Sequence, residues 1–219
     1  MYTGITRGIF PVVAVEHHAG HTRFSVQLDE ELTRDVSIGA SVAIDGVCCT
    51  VVTQHGVHLS FDAMQETRSL TTLSDLHVGR GVSVERSARM GDELGGHDVF
   101  GHVIGTGTVS AVHSIGEQLD LTITVPGAWL KYILHKGFIA VDGSSLTVGA
   151  VHKPKPGETH GAFELHLIPE TVRVTNFGKR KVGDRVNVEL DPRTVAIVDT
   201  VERVLAERAL QEREQERQR

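Results

Sequence analysis

Cys48 and Thr50 stand two positions apart, and so do Ser145 and Thr147. Residues at that spacing share one side of an extended strand, so each pair presents polar groups in a row. Such groups can hydrogen-bond a ligand or pass protons, and a cysteine becomes a nucleophile once its thiol ionises. Read alone, they fit equally a buried strand whose hydroxyls are satisfied within the core.

The two pairs belong to one ten-residue sentence written twice. VAIDGVCCTV at 42–51 returns as IAVDGSSLTV at 139–148, an offset of 97 positions. TGITRG at 3–8 overlays FGHVIG at 100–105 at the same offset. ETRSLTTLSDLHVGRGVSVE at 66–85 overlays ETVRVTNFGKRKVGDRVNVE at 170–189, now 104 positions apart. About seven residues are therefore inserted in the second half, and KPKPGETHGA (153–162) reads as an extended surface loop. Three blocks in one order indicate internal duplication.

The differences between copies locate candidate chemistry. His102 takes the place of Ile5, Cys48 that of Ser145, Ser41 that of Phe138, and Lys136 that of Gly39. Cys49 matches Leu146 and reads as structural. Asp45-Gly46 and Asp142-Gly143 are hairpin-turn signals. GHVIGTGTV is not a dinucleotide fingerprint, because its glycines at 101, 105 and 107 are wrongly spaced.

Between these residues lie short, β-branched, punctuated runs. LDLTITV (119–125) and FELHLI (163–168) alternate, which predicts a small closed β-barrel in each half. DPRTVAIVDTVERVL starts a different element: Asp191 caps a helix with Pro192 at its first position. Val198, Val201 and Leu205 form an apolar stripe, fitting either a helix packed on its own barrel or a seam between subunits. After Leu210 the charged tail is expected to fray. The division expected is a barrel at 1–96, a barrel at 97–190, and a helix with polar tail at 191–219.

Composition narrows the class. A chain of 219 residues, 40% hydrophobic and 23% charged, has ordinary globular make-up. A formal charge of −6 argues against nucleic acid as partner. No apolar run is long enough for a membrane span, and the start lacks a signal-peptide layout, so a cytoplasmic location is expected. The two cysteines are adjacent and expected to be free thiols. With no CxxC and no HExxH, no metal site is expected.

MYTG, DGVCCTV, GGHDVFGHVIG, LHKGFIAVDGSSLTV, IPETVRVTNFG and the VDTVERVL helix together resemble the riboflavin synthases of the α-chain type. The resemblance covers the chain apart from the insertion and the tail beyond about residue 208. It implies an all-β fold of two homologous six-stranded antiparallel Greek-key barrels plus a C-terminal helix, assembled as a homotrimer. It implies conversion of two molecules of 6,7-dimethyl-8-ribityllumazine into riboflavin and 5-amino-6-(D-ribitylamino)uracil, by four-carbon transfer without a cofactor. Lumazine synthase is a candidate partner. The reacting pair would meet between the N-barrel of one subunit and the C-barrel of the next, a reading that favours the helix as a seam.

The resemblance also implies the site. Gly4, Ile5 and Thr6, with Gly101, His102 and Val103, are matched strand edges lining the heterocycles. Cys48, Cys49 and Thr50, with Ser145, Leu146 and Thr147, complete the two pockets. Asp62, Ala63, Met64, Gln65, Glu66 and Thr67 would hold one ribityl chain, and His166, Leu167, Ile168, Pro169, Glu170 and Thr171 the other, with Lys136 beside the ligand. The catalytic candidates are Ser41, Cys48, His102, Asp142 and Thr147. His102 and Thr147 are assigned to proton traffic, and Cys48 with Ser41 to activation in the partner pocket. Tyr2 departs from the family's usual phenylalanine and adds a hydroxyl near the site. Antenna proteins of luminous bacteria bind the lumazine on a similar fold without catalysis. Retention of SSLTV, Cys48 and His102 favours an enzyme here. A flavin-reductase barrel would need a following nucleotide-binding domain, where this chain has a helix.

Overall fold

The computed structural model describes residues 1–217. The first half carries β1 (Gly8–His17), β2 (His21–Gln27), a short α1 (Glu30–Thr33), β3 (Ser41–Ile44), β4 (Val47–His55), β5 (His58–Met64), α2 (Gln65–Leu70) and β6 (Gly81–Arg86). The second repeats the series as β7 (Gly105–Ile115), β8 (Gln118–Pro126), β9 (Phe138–Val141), β10 (Ser144–His152), β11 (His160–Leu167), α3 (Pro169–Val174) and β12 (Arg185–Leu190). The chain then enters α4 (Pro192–Arg217).

Each half closes into a six-stranded antiparallel barrel. The first runs β1-β2-β5-β4-β3-β6, and the second has the same order with equivalent strands. Even the irregularities are copied: a register shift between Val12 and Ala14 recurs between Val109 and Ala111. Alternation explains why these segments are strands. Along β8, Leu119, Leu121, Ile123 and Val125 point inward and are buried, with more exposed residues between them. Phe24, Phe61, Leu59 and Ile44 fill one barrel, and Phe163, Leu121, Leu165 and Ile139 the other. Burying each such side chain stabilises the fold by roughly 1.5–3 kcal/mol.

The barrels are joined where their Asp-Gly turns meet. Asp45 (φ 45°) and Gly46 (φ 78°) form a two-residue turn of the hairpin type that needs positive φ at both positions, as do Asp142 (φ 45°) and Gly143 (φ 82°). The turns stand back to back, so closely that a Cβ on Gly46 would lie 2.3 Å from the Gly143 amide nitrogen. Asp45 accepts from the Ser83 amide (2.7 Å) and from Arg80 (2.7 Å). Asp142 accepts from the Asn187 amide (2.8 Å) and from Arg180. Asn187 then crosses between the halves, donating to the Asp45 carbonyl (2.7 Å) and accepting from the Thr72 amide (2.7 Å). Its repeat equivalent, Ser83, is too short to reach, and its hydroxyl is buried without a partner among the described residues.

Three expectations need correcting. Residues 160–162 belong to β11, so only 153–159 form the inserted loop. The tail does not fray at Leu210, because α4 continues to Arg217. Ala, Leu, Glu, Gln and Arg are strong helix formers, and an Arg203–Glu207 pair at i,i+4 supports the helix. Gly4–Thr6 and Gly101–Val103 are not strand edges but irregular arms that precede β1 and β7. Asp191 does cap α4, accepting from the Thr194 amide (3.0 Å). No helix among the described residues is long and apolar enough to cross a membrane.

Gly46→Ala is expected to destabilise the chain by about 3 kcal/mol or more in urea melts, since backbone on both sides cannot yield. Gly56→Ala, also at positive φ but facing open space, should cost only about 1–2 kcal/mol. Burial and the facing Asp142 carboxylate push Asp45 up to about 6, outweighing Arg80, the Ser83 amide and Arg180. The folded chain thus binds this proton more tightly than the unfolded chain does. The contribution favours folding below about pH 4 and is lost as pH rises to 6. Relative to Asp45→Asn, the stability of the parent chain should therefore fall across that window.

Candidate functional site

Each cleft is built from one barrel and the arm that leads into the other. Tyr2 and Val99 pair antiparallel, exchanging amide–carbonyl bonds of 2.6 and 3.1 Å, so the arms cross beside the Asp-Gly junction. Glu85, at the end of β6, accepts from the Thr3 amide (2.6 Å) and the Gly4 amide (3.0 Å). Glu189, its twin on β12, accepts from the Phe100 (2.7 Å) and Gly101 (2.9 Å) amides. Burial pushes both carboxyls up, against the pull of these donors. Held so, the Gly101 carbonyl accepts from the Cys48 amide (3.0 Å), and the Gly4 carbonyl from the Ser145 amide (2.8 Å). Both glycines are left-handed, at φ 73° and 76°, and a Cβ on either would strike the strand it crosses.

The first cleft, about 290 Å³, is lined by Val47 and Cys48 of β4, Glu66, Thr67 and Leu70 of α2, and Gly101, His102 and Val103 of the second arm. The other, about 450 Å³, is lined by Gly4, Ile5 and Thr6 of the first arm, Ser144, Ser145 and Leu146 of β10, and Ile168, Glu170 and Thr171 around α3. Register extends each cleft along its strand. Ser41 pairs with Thr50 and Ala43 with Cys48, so Ser41, Thr50 and Cys48 share one outer face. Phe138 pairs with Thr147 and Ala140 with Ser145, giving the equivalent face on the second barrel.

The assigned division of labour changes accordingly. His102 shares a cleft with Cys48, and Thr147 belongs with Ser145 on the other barrel, because the arms cross between halves. Asp142 lines neither cleft. It is 2% exposed and committed to Arg180 and the Asn187 amide. Cys49, Ala63 and Leu167 point into the barrel cores, and burial pushes the Cys49 thiol up. Met64 is exposed at the end of β5, Gln65 opens α2, and Pro169 is the first residue of α3. Lys136 is exposed in a left-handed turn (φ 63°), a conformation its twin Gly39 adopts without strain.

Asp62 and His166, matched by the repeat, are held by pairs of inverted polarity. Arg23 grips Asp62 with two bonds of 2.8 Å, and that grip holds the Asp62 carboxyl below its usual range. On the second barrel His166 faces Asp120 at 2.8 Å, with the carboxylate now on the other strand.

Sequence reasoning missed His97. Its Nδ1 lies 2.6 Å from the Ser145 hydroxyl, its ring stacks on Phe138 at 5.1 Å, and burial lowers its basicity. Comparison of the repeats could not find it, since an offset of 97 maps it to a position before residue 1. Glu85 and Glu189 were in view, closing both copies of the third repeated block.

A family model described as the lumazine binding domain matches residues 3–87 and again 100–191. The chain belongs to the riboflavin synthase family. The riboflavin synthase of Escherichia coli (strain K12) is 45% identical over 209 residues, covering 95% of each chain. That of Chlamydia trachomatis is 39% identical over 210 residues, covering 96% of this chain and 99% of that one. Among solved structures, LumP complexed with riboflavin superposes with a TM-score of 0.77 at 24% identity, covering 87% of this chain and all of that one. LumP complexed with 6,7-dimethyl-8-(1'-D-ribityl) lumazine gives 0.75 at 22% identity, covering 87% of this chain and 99% of that one. At that identity these two structures speak for the fold.

Gly101→Ala should push the arm off β4 and open the first cleft. Fluorescence titration with a ribityllumazine should then show about tenfold weaker binding at one of two sites, a loss of about 1.4 kcal/mol. Gly4→Ala should do the same at the other.

Proposed function

We propose that the chain is a riboflavin synthase that turns two molecules of 6,7-dimethyl-8-ribityllumazine into riboflavin and 5-amino-6-(D-ribitylamino)uracil. The observation carrying this reading is the pair of clefts built alike from duplicated parts yet lined with different chemistry. A reaction between two copies of one substrate needs two oriented pockets. Holding both partners in register is worth up to about 7–11 kcal/mol of the barrier. Identity of 45% over 95% of a named riboflavin synthase supports the same activity.

In this mechanism one lumazine loses a proton from its C7 methyl, whose anion delocalises into the ring. The other is activated at C7, the rings join, and eliminations release the products. Cys48 and His102 act together on the molecule in the first cleft, with Thr50 and Ser41 along the same face. Ser145 and Thr147 serve the second, with His97 beside Ser145. Asp62, Glu66 and Thr67, and His166, Glu170 and Thr171, offer donors and acceptors to the ribityl hydroxyls. Lys136, held at positive φ, completes the ligand surface.

The clefts meet their counterparts in a homotrimer, N-barrel to C-barrel. Val201 and Leu205 of the expected stripe are 52% and 58% exposed on α4; Val198 is half-buried, and Ile197, 64% exposed, takes its place in an apolar stripe at i, i+4 and i+8 for that assembly. A cytoplasmic site of action, without a cofactor and with lumazine synthase as a partner, completes the proposal.

Incubation with 6,7-dimethyl-8-ribityllumazine should release one riboflavin for every two lumazines consumed. Cys48→Ser and His102→Gln should each lower kcat by about 10²-fold while leaving the lumazine Kd within about threefold. A bound but unconverted lumazine would instead identify a binding protein.

A further inference from the structure

Tyr2 is 1% exposed, yet it carries a hydroxyl that must be satisfied in the junction between the barrels. Its ring is enclosed with Ala43, Val99 and Ala140, and its backbone is pinned on both sides to Val99. The hydroxyl donates to Cys48 Sγ across 3.1 Å. Cys48 is likewise fixed, its amide bound to the Gly101 carbonyl, while its side chain opens to solvent and the first cleft. Both ends of the Tyr2–Cys48 bond are therefore set by the fold.

The equivalent place in the other half is built differently. Val99 stands where Tyr2 does and has no hydroxyl to offer Ser145, which takes His97 as its partner instead. One matched strand position meets an imidazole, and the other meets a phenol. Burial and the neighbouring thiol push the Tyr2 phenol far above its ordinary range, so it stays protonated and keeps a hydrogen to donate to Cys48. A sulfur that permanently accepts a hydrogen bond carries negative charge more readily than one that does not. Cys49, one residue on, is enclosed in the barrel core.

We infer that Tyr2 is a positioning residue for Cys48, whose phenol aims the sulfur into the first cleft and donates a hydrogen bond to it there. The inference extends the proposed reaction by naming the group that prepares Cys48, and it rests on that reading only for its effect on turnover.

Alkylation of Cys48 by iodoacetamide in the full chain, followed by peptide mass spectrometry from pH 5 to 10, tests it without any lumazine. Tyr2→Phe should slow Cys48 alkylation about tenfold at pH 7 and move the profile to higher pH, with Cys49 unreactive throughout. kcat for riboflavin formation should fall about tenfold with KM little changed, and the effect should vanish in a Cys48→Ser background. Tyr2 and Tyr132 are the two tyrosines of the chain, so 3-fluorotyrosine incorporated into Tyr132→Phe alters Tyr2 alone and keeps its shape. That stronger donor should speed alkylation, which keeps the test decisive if the phenylalanine variant folds poorly. Profiles that superimpose would overturn the inference, as would a shifted profile with unchanged kcat. A shifted profile in a chain that makes no riboflavin would sink the functional reading and spare the contact.

Discussion

Two glycine backbones in contact govern this molecule. Gly46 and Gly143 lie so close that neither tolerates a Cβ, and that contact fixes where the barrels stand relative to each other. The turns that carry them require aspartate and glycine in the left-handed region, and the aspartates anchor each turn to the last strand of its own barrel. The contact buries two carboxylates near one another, which is tolerable only because arginines and backbone amides meet both. Repetition of Asp-Gly in the two halves is thus a statement about the joint as much as about hairpins.

From that joint the clefts follow. Once the turns are fixed, the arms entering the two barrels pass each other, and each reaches the opposite barrel's fourth strand in its repeat. Buried glutamates at the ends of β6 and β12 hold the arms at that crossing. A cleft is consequently never the property of one half. The residues that line it come from two stretches far apart in sequence, brought together by backbone hydrogen bonds between an arm and the strand it crosses.

Much of the fold was legible because duplication multiplies the signal. Alternation in LDLTITV or FELHLI is short taken singly, but its recurrence in a fixed order of turns leaves few arrangements besides a pair of barrels. The outward faces of β4 and β10 were legible for the same reason, since period-two spacing places Cys48 with Thr50 and Ser145 with Thr147. Grouping was not legible. His102 was set apart from Cys48 because nothing in the linear pattern announces that the arms cross. Asp142 is a site candidate only through the family resemblance; its own letters, Asp-Gly, signal a turn, and its burial against Arg180 fits that turn. His97 had no twin to be compared with. The hydroxyl of Tyr2 is visible in the sequence, but its partner Cys48 lies 46 positions away and is joined to it only by the fold.

Asn187 closes the account of the duplication. Its amide spans the boundary to Thr72 and to the Asp45 carbonyl, a reach that Ser83 in the other half lacks. A side chain lying near an approximate dyad cannot be long on both sides, so one half had to yield. The halves have thereby stopped being interchangeable parts. Drift in the backbone around Asp45 is felt directly by a strand of the opposite barrel, while the reverse path through Ser83 is silent. Ancestral symmetry has become a handed joint, and divergence on its two sides is free to proceed at unequal rates.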